Sequence, residues 1–110
     1  MTHQALGGFQ QLVLLAALRL DREAYGARIQ REIEETAGRS VTLSTLYITM
    51  ERLEKKGLVR SWMTDPTPVR GGKSKRCYRL TEEGLLALSE SRRELVRMWR
   101  GVESHLEGEL

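Results

Sequence analysis

The side chains best placed to do chemistry in this sequence are the basic residues between positions 70 and 76. Arg70, Lys73, Lys75 and Arg76 surround two adjacent glycines. Lysine and arginine at a loop tip can bind phosphates or enter a minor groove, and glycine lets the backbone approach a partner closely. The spacing therefore predicts a basic loop whose tip contacts phosphates or enters a minor groove, with Lys73 and Lys75 nearest that tip.

The positive charge is concentrated in the middle third of the chain. The 110 residues carry a net charge of +3. Residues 39–79 hold ten Lys or Arg and three acidic residues, a net of +7, whereas residues 1–38 and 80–110 have net charges of −1 and −3. Such a block is typical of a nucleic-acid-binding face, and an ordinary solvated surface is the alternative.

The composition indicates one small globular domain. Apolar residues make up 40% of the chain and charged residues 30%, which suits a small core. The single cysteine, Cys77, rules out an internal disulfide and fits a reducing compartment. No apolar run approaches the roughly 20 residues of a membrane span, and the N-terminal stretch MTHQALGGFQ lacks the basic start of a signal peptide. We therefore expect a cytoplasmic protein.

No residue pattern indicates an enzyme, a metal site or a cofactor site. His3 and His105 lie near opposite ends of the chain, so no histidine–carboxylate pair is suggested. Cys77 stands alone inside a predicted strand, which favours a core or sheet residue over a nucleophile or metal ligand. We expect a binding protein.

The elements that position these residues begin with a helix over residues 9–20. This segment is apolar almost all the way round, including Leu12 and Leu15, and such a helix needs apolar neighbours on every side. In so small a domain we favour a partner subunit that covers one face. The alternative is a central helix of a compact monomer.

A second helix is predicted over residues 22–40. Its apolar residues recur at every fourth position and form one stripe. Gly38 is well placed to end the helix in a left-handed conformation. The stripe consists of Tyr25, Ile29, Ile33 and Ala37.

A third helix is predicted over residues 41–57, with Thr42 or Ser44 as its N-cap. The short turn between the second and third helices favours a helix-turn-helix, whose second helix can enter the DNA major groove. Hydroxyls in its first turns can contact phosphates or base edges, whereas later basic residues favour backbone contact or plain solvation. Its core stripe consists of Leu43, Leu46, Met50 and Leu53. Its candidates for DNA contact are Thr42, Ser44, Thr45, Tyr47, Thr49, Arg52 and Lys55.

Two strands are predicted over residues 58–64 and 74–81. The segment between them holds both prolines of the chain and two glycines, so it is the loop of a hairpin. The order of elements predicts a mainly α fold with a small β-hairpin, namely a winged helix-turn-helix followed by a long C-terminal dimerisation helix. The basic loop is then the wing.

The final helix is predicted over residues 81–110, with Thr81 as its N-cap. Seven positions spaced alternately by three and four form a heptad seam. Because a helix of about 30 residues spans roughly 40 Å, we expect much of the seam to overhang the domain and to pair with a second copy. Packing on its own domain is the alternative. The seam consists of Leu85, Leu88, Arg92, Leu95, Trp99, Val102 and Leu106.

The predicted organisation is a DNA-binding domain over residues 1–80 and a dimerisation helix over residues 81–110. The dimerisation helix packs with the helix over residues 9–20, so that the two parts form one compact unit. The expected dimerisation residues are Leu12, Leu15, Leu88, Leu95, Trp99, Val102 and Leu106.

Several segments resemble the PadR family of transcriptional regulators. TLYITMERLEKKGLV (45–59) matches the family's recognition helix, and GGKSKRCYRLTEEG (71–84) matches its wing exit. YGARIQREIEE (25–35) and the leucine-rich first helix match as well, so the resemblance covers essentially the whole chain. Family members usually have proline after the recognition-helix tyrosine, where this chain has Ile48. The short length resembles the smaller PadR subfamily.

The resemblance implies a homodimer, joined by the last and first helices, that binds a palindromic operator and usually represses. It implies a phosphate contact for Tyr47, with part-burial against the second helix as the alternative. In some relatives a small aromatic or drug-like ligand releases the DNA, and an aromatic residue of the last helix stacks on the ligand in drug-sensing relatives. Trp99 is the candidate here, with a plain dimer-core role as the alternative.

A different class of function stays open from the residues alone. Winged helices also serve as protein-interaction modules without DNA, because fold does not fix function. The net charge of residues 39–79 and the polar face of the third helix argue against this, since an interaction module favours an exposed apolar patch. Ile48 is the one residue of that face that suits such a patch.

Overall fold

Four helices and one hairpin follow one another in the predicted order. The computed structural model describes residues 5–65 and 73–106. The helices are α1 (Gly8–Leu20), α2 (Gly26–Ala37), α3 (Leu43–Lys55) and α4 (Glu82–Trp99), and the strands are β1 (Val59–Met63) and β2 (Arg76–Leu80). Short 3-10 turns cover Asp21–Glu23 and Glu103–Leu106. The predicted fold class, mainly α with a small β-hairpin, is confirmed.

The core is built where α1, α2 and α3 meet. Val13 and Leu14 of α1 are fully buried, as are Ile29 of α2 and Met50 of α3. The other side of α1 is open, and Leu15 is 44% exposed. The all-round burial expected for the first helix is therefore incomplete within one chain.

The second helix begins four residues later than the sequence predicts. Asp21 ends α1 with a φ of 52°, and Tyr25 is extended, with φ −113° and ψ 163°. Tyr25 forms an isolated β-bridge with Cys77, and the Tyr78 N–H donates to the Ala24 carbonyl oxygen at 2.9 Å. This segment is bonded to the edge of the two-stranded hairpin by an isolated bridge, which explains why it leaves the helix.

Besides Tyr25, which is half-buried, two apolar positions of the predicted stripes are not core residues. Ala37, the last residue of α2, is exposed, and Leu43, the first residue of α3, is 38% exposed. Both stand at helix ends, beyond the part of the stripe that packs against the neighbouring helix. The rest of the α3 stripe is as predicted, because Leu46, Met50 and Leu53 are fully buried.

The predicted helix ends are confirmed at three places. The Thr42 hydroxyl accepts from the Thr45 N–H at the start of α3, and the Thr81 hydroxyl accepts from the Gly84 N–H at the start of α4. Gly38 adopts the left-handed conformation with a φ of 67°, which glycine tolerates without a side-chain clash.

The prediction of one continuous helix over residues 81–110 is wrong. The helix ends at Trp99, Arg100 has ψ 128°, and Gly101 has a φ of 84°. Val102 and Leu106 follow this turn, so they do not continue the heptad seam along one axis; residues 107–110 lie outside the described part. Glycine at a positive φ ends helices in this way, and it outweighs the heptad period here.

The second half of α4 extends beyond its own domain. Ala87 and Leu88 are buried against the core, whereas every residue from Arg92 to Trp99 is exposed. The expected overhang of the last helix is confirmed.

Within the described residues, no helix is long and apolar enough to cross a membrane.

The first turn of α4 is fixed against the turn between α3 and β1. The Thr81 hydroxyl donates to the Gly57 carbonyl oxygen at 2.6 Å, and the Thr81 N–H donates to the Leu58 carbonyl oxygen at 3.0 Å. Gly84 faces the same Leu58 carbonyl, and a Cβ atom at Gly84 would overlap it. Close backbone packing therefore sets the direction of α4.

We expect Gly84→Ala to destabilise the protein by about 2–4 kcal/mol, because the added methyl group meets buried backbone that can only shift as a unit. Urea denaturation followed by circular dichroism measures this. Gly8→Ala is the matched control, since nothing lies within 4 Å of a Cβ at Gly8, and it should change the free energy of unfolding little. Equal stabilities for the two variants would contradict the close packing.

Candidate nucleic-acid interface

The third helix presents one side to solvent. Leu46, Met50 and Leu53 point into the core, and at 100° per residue Ser44 and Ile48 lie on the opposite side. Both are exposed. The described residues offer Ser44 no hydrogen-bond partner, so its hydroxyl is available to a ligand.

Two of the predicted hydroxyl contacts already have a structural role. The Thr42 hydroxyl accepts from the Thr45 N–H at 3.1 Å and donates to the Thr45 hydroxyl oxygen at 2.9 Å. These bonds satisfy the start of α3, where backbone N–H groups lack partners within the helix. Thr49 lies half-buried on the side of the helix.

Tyr47 packs against the start of the second helix. A Cβ atom at Gly26 would overlap the Tyr47 hydroxyl and ring, so only glycine leaves room for this contact. The tyrosine is nevertheless 43% exposed. The structure thus has the part-burial against the second helix, and the exposed remainder leaves the predicted phosphate contact open.

The basic residues late in α3 differ in their surroundings. The Lys55 ammonium pairs with Glu51 at 3.3 Å, and both side chains are largely exposed. Arg52 is exposed and has no side-chain hydrogen bond or ion pair among the described residues. Exposed pairs contribute little to stability, so both cations remain able to bind phosphate.

The basic residues of the wing are held to different degrees. Lys73 is exposed, whereas the Lys75 ammonium lies 4.2 Å from the centroid of the Tyr25 ring. Such a cation–π contact is worth about 0.5–1 kcal/mol at an exposed site. Arg76 donates from Nη1 to the Ser61 hydroxyl at 2.9 Å. Arg70 lies outside the described residues.

The hairpin and the third helix form one unit. Ser61 of β1 donates from its N–H and its hydroxyl to the Glu54 carboxylate, at 3.2 Å and 2.9 Å. A groove of about 570 Å³ lies between α3 and the two strands of the hairpin. Its lining consists of Tyr47, Glu51, Glu54, Met63, Arg76 and Tyr78.

Some residues that position this face were missed from the sequence. The apolar spacing predicts Tyr25 as part of a helical stripe, and no sequence pattern predicts a role for Glu54 or Ser61. The glycine that follows Tyr25 is a weak helix former, and it was the one signal that the second helix begins after Tyr25. No local sequence pattern predicts the Glu54–Ser61 hydrogen bonds, because they join α3 to β1.

Tyr78, a buried tyrosine that lines this groove, has a raised pKa. Tyr78 is 3% exposed, and burial raises its pKa from 10.0 to about 12. The neighbouring Tyr47 adds to the shift, and the charge of Arg76 opposes it. The phenol is therefore neutral at physiological pH.

The predicted dimerisation residues differ in how far they are exposed within one chain. Leu88 is 9% exposed and belongs to the core of its own chain, and Leu12 packs partly on that core. Leu15, Leu95 and Trp99 are 44–49% exposed. A groove of about 210 Å³ between α1 and α2 includes Leu12 and Leu15 in its lining. Only part of the predicted set is thus open to a partner.

Other chemistry has no support in this part of the chain. Among the described residues no group of His, Cys, Asp or Glu is arranged to hold a metal ion. Cys77 is buried on β2 and stands opposite Trp62, as predicted for a sheet residue.

The arrangement defines a winged helix-turn-helix protein, with an exposed helix and a basic hairpin on the same domain. The family model of the PadR-like transcriptional regulators matches residues 14–90. The chain belongs to this family. The family consists of transcriptional regulators, not enzymes, and its members bind DNA.

Individual relatives agree with this assignment. Transcriptional regulator Rv3488 of Mycobacterium tuberculosis is 40% identical over 91 residues, which are 80% of each chain. The crystal structure of a PadR family regulator from Eggerthella lenta has 32% identity and a TM-score of 0.68, over 89% of this chain and 83% of that one. A PadR family regulator from Clostridium difficile has 25% identity and a TM-score of 0.63, over 90% and 95% of the two chains.

We expect the buried phenol of Tyr78 to make stability depend on alkaline pH. A raised pKa in the folded state stabilises the protein fully below pH 10, and this contribution is lost as the pH rises toward about 12. Urea denaturation from pH 8 to pH 11 should therefore show a steeper loss of stability for the wild type than for Tyr78→Phe, by about 1 kcal/mol. Parallel curves would contradict the shifted pKa.

Proposed function

We propose that this PadR family member acts in the cytoplasm as a homodimeric repressor that binds a palindromic operator. Each protomer places the start of α3 in the major groove and Lys73 of the hairpin segment on the adjacent phosphate backbone. The observation that carries the proposal is the single domain surface on which α3 and the hairpin are held together by Glu54 and Ser61. A second copy supplies the second half-site.

The charge of the surface supports the DNA part of the proposal. Arg52, Lys55 and Lys73 are exposed cations on α3 and in the wing, and each can neutralise one backbone phosphate. Ser44 and the exposed part of Tyr47 add hydrogen-bonding groups near the start of α3, where recognition helices contact DNA.

The overhanging half of α4 supports the dimer. Leu95, Trp99 and Met98 are 49%, 44% and 73% exposed, and they continue the side of α4 that is buried near Ala87 and Leu88. Exposed apolar residues that adjoin in this way indicate a surface for another protein. Two such helices pair the protomers and set their recognition helices about 34 Å apart, one turn of DNA.

Trp99 is the proposed contact for an effector. Trp99 is 44% exposed, so a small aromatic or drug-like ligand can stack on it at a dimer interface. A plain dimer-core role for Trp99 uses the same exposure. The alternative of a protein-interaction module without DNA binding is disfavoured, because the family consists of transcriptional regulators.

Fluorescence anisotropy against DNA from upstream of the protein's own gene tests the proposal, with a scrambled duplex as control, at about 50 and about 200 mM salt. Tight, salt-dependent binding to the upstream duplex and weak binding to the control is the expected result. If binding is weak and equal, selection from a random duplex library finds any operator elsewhere. An empty selection would overturn the proposal.

We expect Lys73→Ala to weaken binding to specific and scrambled duplexes alike. Loss of one phosphate contact should flatten the plot of log affinity against log salt by about one unit. Arg97→Gln is the control, because it removes one positive charge from the overhanging part of α4. Unchanged affinity of Lys73→Ala at low salt would remove this lysine from the interface.

We expect Leu95→Glu to make the protein monomeric and to weaken operator binding about tenfold or more, because a carboxylate replaces an apolar side chain that the proposed dimer covers and one half-site is lost. Analytical ultracentrifugation and anisotropy measure the two effects. Arg97→Glu lies about 200° around the helix from Leu95 and should leave the dimer intact. A wild type that is monomeric by ultracentrifugation would contradict the dimer.

A further inference from the structure

Ile48 is an apolar side chain on the outward side of α3. It is 54% exposed, more than any other large apolar residue of that helix. The side chains one turn away on the same side are Ser44 and Arg52, which are polar and exposed. The core of the domain therefore does not explain why an isoleucine stands here.

We propose that Ile48 contacts the 5-methyl group of a thymine in the major groove and so sets part of the operator sequence. This inference rests on the proposed function, since it assumes that α3 enters the major groove. It adds a specificity-determining residue to a surface whose other candidates contact mainly the backbone.

The chemistry of the groove selects the ligand group. Base-pair edges in the major groove offer hydrogen-bond donors and acceptors, and the thymine methyl is the apolar group among them. A branched aliphatic side chain cannot hydrogen-bond, so its favourable contact with a base is with that methyl. Cytosine presents a hydrogen at the same carbon and therefore offers no such contact.

The neighbouring side chains leave this role to Ile48. The hydroxyls of Thr42 and Thr45 are bonded to the start of the helix, and Tyr47 is packed toward Gly26. Leu43 is the other exposed apolar residue of α3, but it stands three residues before the buried Leu46, on the inward side of the helix. Ile48 is thus the apolar side chain that faces outward in the second turn of α3.

A methyl deletion in the DNA tests the contact directly. An operator is first selected from a random duplex library with the wild type. Each thymine is then replaced by deoxyuridine, which removes the methyl group and keeps the base-pair hydrogen bonds. Anisotropy gives the affinity of each duplex for the wild type and for Ile48→Ala, whose alanine favours the helix.

At one or two thymines in each half-site, deoxyuridine should weaken wild-type binding about fourfold, the value of one buried methyl group. The same replacement should change the affinity of Ile48→Ala less than twofold. Lys73→Ala, which alters a proposed phosphate contact, should bind all duplexes less tightly and keep the fourfold loss. Arg97→Gln, which lies on the overhanging half of α4 away from the proposed dimer surface, should keep it as well.

The outcomes separate this inference from the proposed function. If no operator can be selected, the proposed function fails and the inference fails with it. If an operator is selected but no deoxyuridine penalty is smaller in Ile48→Ala than in the wild type, the operator function stands and the inference is overturned. Circular dichroism confirms that the variant is folded in each case.

Discussion

The whole arrangement depends on the close contact between the first turn of α4 and the turn that follows α3. Gly84 lies on the Leu58 carbonyl, and Thr81 bonds to the same carbonyl and to that of Gly57. Backbone in contact with backbone has little freedom to adjust. The direction in which α4 leaves the domain is therefore fixed relative to α3, and in a dimer it would determine how far apart two recognition helices stand.

Several polar groups of the third helix and the hairpin hold the domain together. Thr42 and Thr45 satisfy the helix start, Glu54 binds Ser61, and Lys75 lies over Tyr25. A rigid surface loses less entropy when a ligand binds. The same bonds leave few side chains free to distinguish one DNA sequence from another, so each exposed residue of the outward face carries more weight.

The last helix has two environments along its length. Its first half completes the core through Ala87 and Leu88, and its second half exposes Leu95 and Trp99 to solvent. An exposed apolar surface of this kind favours association. The part of α4 that stabilises the monomer is thus continuous with the part that we propose for the dimer. A change in the direction of the first half therefore moves the second half.

The sequence by itself determined the order of the helices and the hairpin and the caps at Gly38, Thr42 and Thr81, because local periodicity and local hydrogen bonds produce them. It also predicted that Leu46, Met50 and Leu53 of α3 face the core, but not that α2 begins at Gly26 or that α4 ends at Trp99. Only the tertiary structure decided that Tyr25 forms a β-bridge with Cys77 and that Tyr47 packs on Gly26. Those contacts join segments far apart in the chain, and local patterns contain no information about which distant segment will be the neighbour.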